Sequence, residues 1–221
     1  SYSAATLARK TTILKSSLKF LYDVKYVNEP LHEGLRIATV RKDDRPNRDL
    51  GPKEVMKLLQ YFKEKNHPIV FGIIHVLTTT WLRNEELCKL KVKDLIYDSI
   101  LDQYYLDVQG KGNKRRQVPV REKPFNSIIQ FRKARELPDI HESDPDSPLF
   151  TTNTGKAYTP SYLSQYLTKA IENTNLPFLE TRSTKITPHV FRHSFAIISY
   201  LSGADIYDIM RSLGHEKIET T

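Results

Sequence analysis

The segment His67–Thr80, HPIVFGIIHVLTTT, most constrains what this chain can become. As a helix it is apolar on nearly every side, so it must be surrounded by protein. It is too short to be a membrane span, which needs roughly 18 consecutive apolar residues, and no other stretch approaches that length. A core therefore has to form around it. With 39% hydrophobic and 27% charged residues, the 221-residue chain can build one, which excludes a disordered tail or a collagen-like fibre. That length fits one large domain, or a small domain joined to a larger one.

The flanking pattern predicts a mainly helical α+β fold. Leu7, Leu14, Leu18 and Leu21 recur at helical spacing in a first helix over 3–27, stopped at Asn28-Glu29-Pro30. Residues 36–49 are polar, charged and aperiodic, and are expected to form a linker. Pro52 opens a helix with Val55, Leu58, Leu59 and Phe62 inward. A helix over 81–95 should follow the apolar one. Then come a strand over 99–108, a basic turn QGKGNKRR and a second strand over 117–120, together a β-hairpin. Further helices are expected over 124–135, 160–174, 188–202 and 204–213, with Gly203 as a C-cap. Leu149-Phe150-Thr151 is a candidate third strand, and 138–148 and 175–185 are loops.

Charge points to an anionic partner. There are 34 Lys and Arg against 26 Asp and Glu, a net charge of +8 and a pI near 9.4. Residues 1–48 carry 10 basic and 5 acidic side chains, and residues 109–135 carry 9 basic and 1 acidic. Residues 136–150 hold five acids and no Lys or Arg. Positive charge grouped in blocks suits a surface that tracks a nucleic-acid backbone. The single cysteine, Cys88, excludes an internal disulfide framework and fits a reducing compartment.

Four segments could carry chemistry, and each has a plain structural alternative. In T187-P-H-V-F-R-H193, His189 and Arg192 lie one helical turn apart, beside a proline-fixed helix start that favours an anion. A guanidinium can bind two phosphate oxygens while an imidazole moves a proton. The alternative is a helix with polar surface residues. L213-G-H215 could present His215 into a cleft, or be an ordinary helix end. In W81-L-R83-N-E-E86, Arg83 lies close to the core and needs a partner: a bound phosphate, or Glu85 or Glu86 in an ion pair. In G110-K-G-N-K-R-R116, glycines flank Lys111 and allow close approach to a ligand, or the segment is a solvated turn.

Taken together and in this order, these segments resemble the tyrosine recombinase (phage integrase) family, whose site is an Arg, Lys, His-x-x-Arg, His and Tyr set. The resemblance spans residues 50–221. It implies a catalytic domain over 49–221 with a small antiparallel sheet. Residues 1–48 would be the end of a helical core-binding domain plus a basic linker. It implies a site-specific recombinase or integrase that cuts and rejoins double-stranded DNA through a 3′-phosphotyrosyl link, for integration or excision of a mobile element. Arg83 and Arg192 would clamp the scissile phosphate, Lys111 would protonate the leaving 5′-oxygen, His189 would move a proton, and His215 would hydrogen-bond the phosphate. Glu86 and Asp94 match supporting acidic positions. Lys10, Lys15, Arg41, Lys42, Lys114, Arg115, Arg116 and His193 would meet DNA.

The resemblance also implies no metal and no cofactor, a prokaryotic cytoplasmic location on the nucleoid, and a tetramer on DNA, with this chain alone a monomer. Two features depart from the family. Trp81 stands where the family usually has glycine, two residues before the first arginine. The nucleophilic tyrosine would fall just past Thr221, so this chain alone is expected to be inactive. The chain begins with Ser1 rather than Met, and residues are expected to precede it.

Two other classes compete. A metalloenzyme could use His189, His193 and His215, but the HExxH pattern needs Glu where Val190 stands, and Arg192 would repel the cation. A DNA-binding module without catalysis could place a helix-turn-helix over 203–215, which explains the basic blocks but not the four phosphate-binding segments.

Overall fold

The computed structural model describes residues 4–37, 50–110, 114–182, 184–192 and 194. The chain divides into two compact units, residues 1–47 and 48–221. In the first, α1 (Ala4–Asp23) ends four residues before the expected boundary. Lys25 takes a left-handed conformation, with φ 58°. Lys25 N donates to Tyr22 O at 2.9 Å and Tyr26 N to Leu21 O at 2.9 Å. This closing turn satisfies the last carbonyls before Pro30 is reached.

The second unit is built on the apolar segment. α2 (Pro52–Glu64) begins with proline and is capped by Glu54, whose carboxylate accepts from Gly51 N at 2.9 Å. It buries Val55, Leu58 and Phe62, while Leu59 is half-buried. α3 (Pro68–Thr80) is buried along most of its length, including Val70, Ile73, Ile74, Val76 and Leu77. Gly72 is needed there: a Cβ would lie 3.0 Å from Ser127 O and 3.2 Å from the Phe131 Cβ. Its absence lets α3 lie close against α5 (Glu122–Ala134). The threonines closing α3 return their hydroxyls to the helix: Thr80 donates to Val76 O at 2.6 Å, and Thr78 to Ile74 O.

The expected helix over 81–95 is not continuous. α4 covers Asn84–Lys89 only. Leu90 turns extended and accepts from Leu149 N at 2.9 Å, and Lys91 bridges to Pro148. A short 3-10 turn, Val92–Asp94, leads into β1 (Leu95–Asp98). Thus the third strand comes before the hairpin. Within Leu149-Phe150-Thr151 there is a single isolated bridge, Thr151 to Ala157. β2 (Gln103–Gln109) starts later than expected, because Asp98 accepts from Ile100 N and Leu101 N and folds 99–102 into a turn. β3 is Arg115–Val120. The sheet is antiparallel in the order β1-β2-β3, with Leu106 opposite both Leu95 and Val118, and Val108 opposite Arg116. Leu95, Leu106, Val108, Val118 and Val120 form its buried face.

α6 (Pro160–Glu172) is capped by Thr159, whose hydroxyl accepts from Tyr162 N at 3.2 Å. A short helix α7 (Pro177–Glu180) lies inside the expected 175–185 loop. Residues 188–192 are helical, and the rest of the expected 188–202 helix past residue 194, with Gly203 and the 204–213 helix, lies outside the described residues. The fold is therefore mixed, with helices around a three-stranded antiparallel sheet, as the α+β expectation stated. No helix among the described residues is long and apolar enough to cross a membrane.

Candidate active site

Glu86 organises the site. It lies in the first turn of α4, 5% exposed, and caps its own helix by accepting from Arg83 N at 2.7 Å. Arg83 Nη1 donates to Glu86 Oε1 at 3.1 Å. From β3, Arg116 meets the same carboxylate with both prongs of its guanidinium: Nη1 to Oε1 at 2.9 Å and Nη2 to Oε2 at 2.8 Å. Fork-to-fork pairing of this kind is among the stronger protein hydrogen bonds. Burial alone pushes the Glu86 carboxyl up. Hydrogen bonds from Arg116 and the Arg83 backbone, and the charges of both arginines, more than offset this and hold it below 4.5.

Arg192 reaches the same place from the 188–192 turn. It is 7% exposed and donates through Nη1 to the Trp81 carbonyl, two residues before Arg83. Burial pulls its pKa down to about 10; Arg83 and Arg116 pull the same way, and Glu86 opposes them. Arg192 is still protonated at neutral pH. Three guanidiniums thus surround one carboxylate, and the surplus positive charge is partly buried. A half-dry site with excess positive charge suits an anion, and guanidinium donors suit phosphate oxygens.

Trp81 supplies the acceptor for Arg192 through an uncommon backbone. It ends α3 in the left-handed region, at φ 58° and ψ 17°. Glycine adopts that conformation without strain, and a bulky residue does not. The departure from the family pattern at this position is thus a change in side chain at a turn whose shape asks for glycine.

The remaining predicted residues fall in several places. His189 is exposed, one turn before Arg192 on the same helical segment. Lys111, His193, His215, Arg41 and Lys42 lie outside the described residues. The base of the Lys111 hairpin is described, however: Gly110 N donates to Lys114 O at 2.7 Å. A Cβ at Gly110 would lie 3.4 Å from an Arg116 nitrogen and 3.5 Å from Glu86 Oε1. The base of the hairpin therefore lies beside Arg116 and Glu86. Lys114 is exposed, and exposed Arg115 pairs with Asp107 at 3.1 Å. Lys10 is exposed and Lys15 half-buried on α1, in the separate first unit. Asp94 caps its own turn, accepting from Lys91 N at 2.8 Å.

Arg116 is the residue whose position the sequence reading did not anticipate. Grouped with the cations of the hairpin tip, it instead points inward to Glu86. The basic block 109–135 is likewise not all surface. Arg132 is 3% exposed and donates to Leu149 O at 3.2 Å and Ser143 Oγ at 2.6 Å, which fastens the acidic loop. Arg135 donates to the Tyr158 hydroxyl at 2.9 Å. Among the described residues, no group of three or more His, Cys, Asp or Glu is placed to hold a metal ion.

Comparison with known proteins decides the family. Residues 48–221 match the phage integrase family. The chain belongs to that family. Among sequence relatives of this phage integrase family member is the tyrosine recombinase XerD of Rickettsia bellii, 26% identical over 226 residues, covering 100% of this chain and 72% of that protein. Among solved structures, the XerH site-specific recombinase, bound to a palindromic difH substrate in a post-cleavage complex, superposes with a TM-score of 0.65 at 26% identity. That match covers 84% of this chain and 50% of XerH, so the chain spans about half of that relative. The Tn1549 transposon integrase, in complex with circular intermediate DNA, shares the fold with a TM-score of 0.71 at 20% identity, over 99% of this chain and 73% of that one.

Proposed function

We propose that this chain carries the DNA-cutting and rejoining centre of a site-specific recombinase. The observation that supports it most is the convergence of Arg83 and Arg192, from distant parts of the second unit's sequence, at the Trp81 turn and Glu86. In this reading the two arginines hold the non-bridging oxygens of a scissile phosphate, where charge grows as the bond breaks. Lys111 protonates the leaving 5′-oxygen, His189 moves a proton, and His215 adds a hydrogen bond. The attacking group is a tyrosine, and the intermediate is a 3′-phosphotyrosyl link. No metal is called for.

Residues 1–48 act as the end of a core-binding domain. Lys10, Lys15, Arg41, Lys42, Lys114, Arg115 and His193 face the DNA backbone. Arg116 does not join them, because its guanidinium is occupied by Glu86. Assembly is a tetramer on DNA and a monomer without the following segment, in a prokaryotic cytoplasm. The use is integration or excision of a mobile element.

The test is cleavage of a nicked duplex by the chain continued past Thr221 to its next tyrosine. A covalent protein–DNA band on a denaturing gel is expected, lost when that tyrosine becomes Phe and reduced at least about tenfold by Arg83→Met or Arg192→Met. Salt-sensitive DNA binding with no such band would identify a non-cutting DNA-binding relative instead.

A further inference from the structure

A carboxylate among phosphate-binding arginines is a liability. It repels the incoming phosphate and competes for the same guanidiniums. In this site, Glu86 lies against Arg83 with its side chain 4% exposed. Without another partner, an anion so placed would take up the Arg83 donors that a phosphate needs. The structure deals with this through a third arginine.

Glu86 receives four donors: Arg83 N, Arg83 Nη1, Arg116 Nη1 and Arg116 Nη2. A carboxylate has about four lone-pair sites, so its capacity is filled. Arg116 covers one site on each oxygen. Arg83 therefore meets the carboxylate with only one side-chain nitrogen, at 3.1 Å, and its side chain stays 30% exposed. Arg116 is itself less accessible, with its side chain 17% exposed and its Nε buried with no partner. Its guanidinium is directed at Glu86 and not at a ligand.

Resting on the phosphate-site reading above, we propose that Arg116 is a positioning residue: it occupies Glu86 so that Arg83 keeps its other guanidinium donors for phosphate. Without it, Glu86 turns its second oxygen to Arg83 and its field to Arg192. Anion affinity then falls because a competitor has been released, and not because an anion ligand has been removed.

The groups facing Glu86 among the described residues are Arg83 at the start of its own helix, Arg116 from β3 and Arg192 from the 188–192 turn. The test uses the chain as it stands, with inorganic sulfate as probe, because sulfate keeps its charge between pH 5 and 8. Binding is followed through the arginine Nε–H signals of Arg83 and Arg192 by NMR. Arg116→Met is expected to weaken sulfate binding at pH 7 by about tenfold or more. Adding Glu86→Gln to it removes the released competitor and should bring affinity back to within about threefold of the original.

Arg116→Lys keeps the charge and the fold and should fall between the original and Arg116→Met. A purely structural role for Arg116 predicts that the double variant is no better than the single one; that result overturns the proposal. Unchanged sulfate affinity in Arg116→Met overturns it equally. If sulfate moves neither Arg83 nor Arg192 in the original chain, the phosphate-site reading itself fails, and this proposal fails with it.

Discussion

Two places in this protein solve the same small problem differently. In each, one carboxylate joins two cations. Glu86 joins Arg83 and Arg116, with its side chain 4% exposed. Asp146 joins Lys91 at 2.8 Å and Lys93 at 2.6 Å, with its side chain 60% exposed. Asp146 is the more strongly shifted of the two in appearance: hydrogen bonds and charge from Lys91 and Lys93 bring it down to about 2. Yet it stands in water, where salt screens the pair and two flexible lysines lose freedom to hold it. Glu86 has first to overcome burial, which pushes the other way, before the arginines can lower it. The size of a pKa shift therefore does not rank the importance of a pair. Burial and the two-pronged geometry of Arg116 do.

The comparison breaks most sharply at Glu86. Glu86→Ala leaves the inward-facing Arg116 without its partner and should cost about 3–5 kcal/mol in urea unfolding. If the loss is no larger than for Asp146→Ala, burial is not what separates the two sites. Next comes the backbone that serves the buried set. Trp81→Val forces a β-branched residue into a left-handed turn and should destabilise by about 1–3 kcal/mol more than Trp81→Asn, which loses the same indole but tolerates that turn. Thermal melts of the two variants decide it.

Acid titration sharpens the contrast further. Both carboxylates are lowered, so each contributes stability above its unfolded value, lost as the pH falls through its folded one. For Glu86 the loss begins near its ordinary value of 4.5, and for Asp146 near 3.8, extending towards about 2. Glu86→Gln should flatten the acid limb of stability below pH 4.5, while Asp146→Asn should leave it nearly unchanged. Smallest of all, Asp146→Asn at physiological salt should give no measurable change in melting temperature, and a clear drop there would show that the exposed set matters after all.

How much of this was legible depended on whether the signal was local. The apolar segment 67–80 announced α3, because no arrangement but burial suits it. α2 and α6 carried proline at their first positions. β1 was hidden because Leu87, Leu90 and Leu95 suit a helical period, whereas a four-residue strand offers too few residues to reveal alternation. Arg83, Arg192 and the hairpin were found by their order along the chain, but nothing local tells that Arg192 bonds the Trp81 carbonyl. Arg116 could have been found. Val118 and Val120 are buried on β3, and a period of two puts Arg116 on that same face. Starting the strand at 117 left it in the turn. The left-handed Trp81 had no local signal, since tryptophan is a poor candidate for that conformation; only the glycine usual at this position in the family hints at it.

Cys88 has a practical consequence. It is the single cysteine of the chain, 6% exposed on α4, and burial, followed by the charge of Glu85, pushes its thiol up to about 12. At neutral pH almost none of it is thiolate, the form that reacts with alkylating reagents. A cysteine introduced at an open position such as Ile100, 92% exposed, should therefore take a maleimide dye by itself. The protein offers a ready background for fluorescence labelling, with its native sulfur left in place.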